Sequence, residues 1–94
     1  MKRVYAATYS DDQKMEMDEV IGKTAEKLGL SVSFEGVTVW FHKTVDGKKF
    51  KFAVSENTMY KLVSESMKFG AAKYNAYNYL KERMELELAD QGLA

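Results

Sequence analysis

Cysteine and proline are both missing from the 94 residues. Without cysteine there is no disulfide, no thiolate nucleophile and no cysteine-bearing metal site. A small secreted domain usually relies on covalent staples, so their absence points to a reducing, cytoplasmic setting. Histidine occurs once, as His42. A histidine pair for a metal is therefore impossible, and neither a metal nor another cofactor is expected. The six glycines stand singly, at Gly22, Gly29, Gly36, Gly47, Gly70 and Gly92, so there is no glycine-rich loop to cradle a phosphate.

Excess charge of one sign is also missing. Fourteen basic residues balance fourteen acidic ones, whereas a protein held to nucleic acid mainly through phosphates is normally basic overall. No apolar run approaches membrane-spanning length, and no membrane partner is expected. The opening Met1-Lys2-Arg3-Val4-Tyr5-Ala6-Ala7-Thr8 is basic, but its apolar stretch is too short for a signal peptide. Linkers, repeats and low-complexity segments are absent, so residues 1–94 read as a single domain. With 46% hydrophobic and 30% charged residues the composition is that of a globular protein, not a disordered one.

What is present is well-marked local structure. Ser10-Asp11-Asp12-Gln13 is a capping box with acidic residues in the first helical turn. Met17, Val20, Ile21, Thr24 and Leu28 then recur at helical spacing, and Gly29 supplies a left-handed stop with Leu30 folding back. The pattern predicts a helix from Asp11 to Leu28, with Gly22 inside it as a point of close packing. Arg3 to Tyr9 is compatible with a short N-terminal strand, because Val4, Tyr5 and Tyr9 favour extended backbone.

Alternation takes over after the helix. Leu30–Phe34, Val37–Thr44 and Lys48–Val54 read as three strands, joined by tight turns at Glu35-Gly36 and Asp46-Gly47. Two-residue loops at those positions set Phe34 opposite Val37, Val32 opposite Val39, Phe41 opposite Phe52 and Val39 opposite Val54. One face then carries Val32, Phe34, Val37, Val39, Phe41, Phe50, Phe52 and Val54, the expected core. The other carries Ser31, Ser33, Thr38, Trp40, His42, Thr44, Lys49, Lys51 and Ala53.

Ser55-Glu56-Asn57-Thr58 opens the closing helical region. Met59, Leu62, Val63, Ser66 and Met67 form its first apolar stripe, and Tyr74, Tyr77, Leu80, Met84 and Leu88 a second. Gly70 between them decides between one long kinked helix and two shorter ones. The expected fold is therefore α+β: a helix, a three-stranded antiparallel meander, and one or two C-terminal helices covering one sheet face, αβββα(α).

Chemistry is sparse in this pattern. Asp12, Glu16 and Glu19 share a helix face opposite the apolar stripe, which is the place of a solvated acidic surface rather than a carboxylate pair with shifted pKa values. Nothing in the sequence anchors His42 near an activated hydroxyl, so no Ser–His–Asp triad is suggested and no catalytic residue is assigned. The informative feature is the polar sheet face, where Trp40 stands with His42, Lys49 and Lys51. Aromatic and basic groups together suit a protein partner, for which exposed tryptophan is a frequent hot spot, or a nucleic acid met by stacking and phosphate contact. The last helix has apolar residues on two sides, Leu80, Met84 and Leu88 on one and Tyr79 and Leu86 on another, where a surface helix normally shows one stripe. Tyr79 and Leu86 are accordingly candidates for a partner contact or a homodimer through that helix.

The order helix–strand–strand–strand–helix over Asp11 to Met67 resembles a double-stranded-RNA-binding domain. That family uses a longer first inter-strand loop than Glu35-Gly36, and a lysine cluster where this chain has Ser55-Glu56-Asn57-Thr58, so its RNA-binding residues do not carry over. With two final helices the order is also similar to some small phage inhibitor proteins, including certain anti-CRISPR proteins. The reading favoured by the sequence is a non-enzymatic regulator or inhibitor acting by protein–protein contact, for which the resemblance alone implies a phage or mobile-element type; the alternative is a nucleic-acid-binding module using the Trp40 face.

Overall fold

A computed structural model of the chain describes residues 9–69 and 76–93, with the helix backbone alone for 66–69. Its elements are α1 (Asp11–Lys27), β1 (Ser31–Glu35), β2 (Thr38–Val45), β3 (Lys48–Ser55), α2 (Glu56–Phe69) and α3 (Ala76–Asp90). This is the expected α+β order, with two helices after the sheet. The segment around Gly70, Tyr74 and the Arg3–Thr8 part of the N-terminal strand lie outside the described residues. Tyr9, the last residue of that stretch, is in a bend.

The start of α1 follows from its cap. The Ser10 hydroxyl accepts from the Gln13 amide at 3.1 Å, and the Gln13 side chain accepts from the Ser10 amide at 2.8 Å. The C-terminus is a Schellman motif: Gly29, at φ 73°, donates to Glu26, and Leu30 donates to Ala25. Leu30 and Ala25 are both buried, which supplies the apolar contact that accompanies this motif. That reversal sends the chain directly into β1.

The sheet is an antiparallel meander in the order β1-β2-β3. Asp46 and Gly47 both have positive φ, 50° and 78°, the pattern of a type I′ turn, and the β2–β3 register follows the expectation with Phe41 opposite Phe52. The β1–β2 register does not. Phe34 pairs with Val39, Val32 with Phe41, and Glu35 with Thr38, so the turn is Gly36-Val37. Only the first central residue, Gly36, has positive φ (61°), as a type II′ turn requires. The shift is two residues, so every side chain keeps its face. Val37, however, leaves the core face for the turn and is 47% exposed, and Phe34 at the end of β1 is 45% exposed.

All three helices pack on the apolar face. The core unites Met17, Ile21 and Ala25 of α1 with Val39, Phe41, Phe50, Phe52 and Val54 of the sheet, Met59, Tyr60 and Val63 of α2, and Ala76 and Leu80 of α3. Phe41 and Phe52 stack with ring centroids 5.3 Å apart. Val32, Met84 and Leu88 are half-buried at the margin of this core. Tyr77, expected inside, is 38% exposed, while the next turn's Leu80 is fully buried. Gly22 is not a close-packing point among the described residues either: a Cβ placed there meets none of their atoms within 4 Å.

The two edges of the sheet are treated differently. In a meander closed by two-residue turns, alternate residues of an outer strand direct their N–H and C=O away from the sheet. On β3 these are Lys49, Lys51, Ala53 and Ser55. The Gln91 amide, just past α3, donates to the Lys51 carbonyl at 3.1 Å, and Arg83 donates to the Ala53 carbonyl at 3.3 Å. The C-terminal helix thereby covers the β3 edge. On β1 the outward groups belong to Val32 and Phe34, and among the described residues nothing covers them.

Candidate functional site

The face of the sheet turned away from the helices brings four of the sequence-predicted residues together. On it Trp40 lies between Ser33 and Ala53, His42 between Ser31 and Lys51, and Thr44 beside Lys49. Strand alternation alone places Trp40, His42, Lys49 and Lys51 on one side, and the antiparallel register sets them side by side. Trp40 and His42 are half-buried and the two lysines exposed. The Lys51 ammonium stands 5.0 Å from the centre of the Trp40 ring, a cation–π contact that covers part of the indole.

His42 is anchored, contrary to the expectation. Its Nε2 lies 2.9 Å from the Ser33 hydroxyl, its diagonal neighbour on β1. The reason is the two-residue shift in register, which brings Ser33 within reach of the ring. Among the described residues no carboxylate bonds the other ring nitrogen, and no group of three histidine, aspartate or glutamate side chains is arranged to hold a metal. The pair is a cross-strand hydrogen bond that fixes the ring's orientation.

Beside this pair is a shallow depression where β1 begins and the β2–β3 hairpin projects past it. Ser31, His42, Lys43, Thr44, Lys49 and Lys51 line it, and no carboxylate does. Lys43 has a second role that the sequence reading missed. It belongs to the helix side of the sheet, and its Cε and Nζ lie 3.7 Å from the position a Cβ would take on Gly29. Its ammonium thus sits at the C-terminus of α1, where the last carbonyls carry partial negative charge. The alternation Phe41-His42-Lys43-Thr44-Val45 holds the signal, since Lys43 shares its parity with Phe41 and Val45. What remains on this face of the sheet is Lys49 and Lys51 with the hydroxyls of Ser31, Ser33, Thr38 and Thr44, an imidazole and an indole, a surface suited to carboxylate or phosphate oxygens.

Tyr79 and Leu86 behave differently from each other. Tyr79 is half-buried, and its hydroxyl accepts from Arg83 at 3.2 Å. Arg83 also pairs with Glu87 at 3.2 Å, donates to the Ala53 carbonyl and lies 5.7 Å from the centre of the Phe52 ring. Burial alone would lower its pKa, but the bonds to Tyr79 and Glu87 outweigh that and hold it above the ordinary arginine value. Tyr79 is thus part of the clamp that fastens α3 to the β3 edge. Leu86 stays 64% exposed and is the most exposed large apolar residue of α3.

A second cluster went unpredicted. Tyr60 of α2 is 2% exposed, yet its hydroxyl donates to Asp18 of α1 at 2.8 Å and approaches Glu56 at 3.4 Å. Burial, then the bond and charge of Asp18, push its phenol well above the ordinary tyrosine pKa. The Tyr9 ring meets it edge-on at 5.7 Å. This cluster ties α1 to α2 and lies apart from the Trp40 face of the sheet. Its sequence signal was the position of Tyr60 next to Met59 in the α2 stripe; its acidic partner comes from 42 residues away.

No protein-family model, no curated protein and no solved structure matches this chain.

Proposed function

We propose that the chain is a non-enzymatic binding module, a small regulator or inhibitor that acts by occupying an acidic surface of a protein partner with the open face of its sheet. The observation that carries this reading is the grouping of Trp40, His42, Lys49 and Lys51 on one sheet face, where His42 and the two lysines line a depression with no carboxylate among the described residues. An aromatic ring flanked by ammonium groups offers the two ingredients of an interface anchor, apolar area and charge complementarity. Leu86 offers a separate apolar contact on α3. Protein carboxylates are favoured over phosphates for two reasons. The formal net charge is zero, so long-range attraction to a polyanion is weak. Lys51 also covers part of the indole that a base would stack on.

The test uses affinity capture with quantitative mass spectrometry, comparing the native chain with the double variant Lys49→Glu, Lys51→Glu. A stoichiometric partner that is retained by the native chain and falls at least about tenfold with the variant supports the reading, since tenfold corresponds to ~1.4 kcal/mol of binding energy. Equal retention by both chains rules out this face.

A nucleic acid is the second reading, favoured by the presence of Trp40 among lysines on an exposed sheet. Trp40 is the sole tryptophan, so its fluorescence reports directly on this face. Quenching by single-stranded oligonucleotide at low salt, lost steeply as salt rises, would establish the nucleic-acid reading in place of the first.

A further inference from the structure

We propose that the β1 edge is a self-pairing surface, through which two copies of the chain join their sheets into one six-stranded antiparallel sheet. Three observations meet at this edge. The outward N–H and C=O groups of Val32 and Phe34 have no partner among the described residues, whereas the corresponding carbonyls on β3 are covered by Arg83 and Gln91. β1 also lacks several of the devices that block an exposed edge: Ser31-Val32-Ser33-Phe34-Glu35 contains no proline and no lysine, its one charge stands at its end, and its pairing with β2 runs without a bulge. Finally, a groove runs between this edge and α1, bounded by Leu30, Val32 and Phe34 on one side and by Gly22 and Glu26 on the other. Gly22 is the one helix-interior glycine of α1, and among the described residues nothing lies within 4 Å of the position its Cβ would take.

The strand is complementary to itself. Two-fold antiparallel pairing centred on Ser33 overlaps all five residues. Val32 then stands opposite Phe34 of the second copy, and Ser31 opposite its Glu35. Apolar side chains meet on the helix face and no like charges oppose each other. The hydrogen-bond phase agrees, because the residues set opposite each other as bonded pairs, Val32 and Phe34, are the ones whose backbone groups already point outward. The half-exposed Phe34 ring of each copy is brought to the mouth of the other's groove, where Gly22 leaves room for it. Five residues a side is at the small end for a specific interface, so the association is reversible and depends on concentration. The dimer would place two Trp40 faces on one continuous sheet surface, but the pairing stands independently of what those faces bind.

The register can be read by one substitution, because the chain has no cysteine of its own. In the proposed pairing Ser33 faces Ser33 of the second copy in a non-bonded pair, with Cα atoms ~4.5 Å apart, inside the range a disulfide spans. Ser33→Cys is expected to form a disulfide dimer under mild oxidation at least about tenfold faster than Ser31→Cys, which faces Glu35 instead. Gly22→Leu, which places a side chain in the groove that the second copy's Phe34 would enter, is expected to reduce dimer mass in sedimentation analysis while the folded circular-dichroism spectrum is kept. Equal cross-linking of the two cysteine variants, or a monomer at every concentration, overturns the proposal. So does slow hydrogen exchange at the Val32 and Phe34 amides in a monomer, which would mean that another part of the chain, such as its first eight residues, occupies the edge.

Discussion

Two alanine substitutions in the same helical unit, seven positions apart, are expected to have opposite signs. Gly22 lies inside α1 with helical backbone, and among the described residues an added Cβ meets nothing within 4 Å. Alanine there costs no packing and removes backbone freedom from the unfolded chain, so Gly22→Ala should stabilise by about 1 kcal/mol. Gly29 holds φ at 73° to close the Schellman motif. A Cβ at that position meets Lys43 only at ordinary van der Waals distance, 3.7 Å. The cost of Gly29→Ala is therefore almost wholly that of the left-handed backbone, about 1 kcal/mol or somewhat more. The two variants should differ by ~2 kcal/mol, out of a total of roughly 5–14 kcal/mol for a chain of this length. In thermal unfolding that is a separation of about 8–16 °C. Urea melts at low protein concentration, where association through β1 does not contribute, give the same comparison as a shift in midpoint at unchanged slope. A destabilised Gly22→Ala would mean that the helix is packed tightly there. A neutral Gly29→Ala would mean that α1 does not end in the left-handed cap.

Tyr60 is expected to stay protonated at alkaline pH, and tyrosinate absorbance should show it released only on unfolding. Its folded pKa lies above the unfolded one, so its stabilising effect is complete below about pH 10 and is lost as pH rises through the folded value; Tyr60→Phe should flatten that alkaline loss, and an unchanged profile would refute the assignment. Arg83→Ala should loosen α3 from the β3 edge by about 1–3 kcal/mol, since it removes bonds to Tyr79, Glu87 and the Ala53 carbonyl together. Hydrogen exchange should then quicken in α3 before it does in β2, and Arg83→Lys should restore little, because an ammonium cannot bridge the three acceptors as the planar guanidinium does.

Local signals determined much of this protein without tertiary help. The capping box at Ser10, the left-handed stop at Gly29 and the Asp46-Gly47 turn each act within a few residues, and their geometry depends on nothing distant. Period-two alternation likewise assigned Trp40, His42, Lys49 and Lys51 to one sheet face, because the pleat leaves no other choice. The β1–β2 register was legible in principle: a single glycine at the first central position marks a type II′ turn at Gly36-Val37, one residue beyond where Glu35-Gly36 places it.

Tertiary structure decided what covers what. Phe34 and Tyr77 sit on apolar patterns that a core would absorb, but the helices end their coverage short of them. The Ser33–His42 bond and the Lys51–Trp40 contact depend on which residues face each other across strands, a matter of register and not of composition. Tyr60 reaching Asp18, Lys43 reaching the end of α1 and Arg83 covering the β3 edge all join segments far apart in the chain, and no local pattern encodes such distances. The sequence by itself therefore established the elements and the two faces of the sheet. That α3 closes the β3 edge, while among the described residues nothing covers β1, followed only from where the last helix packs.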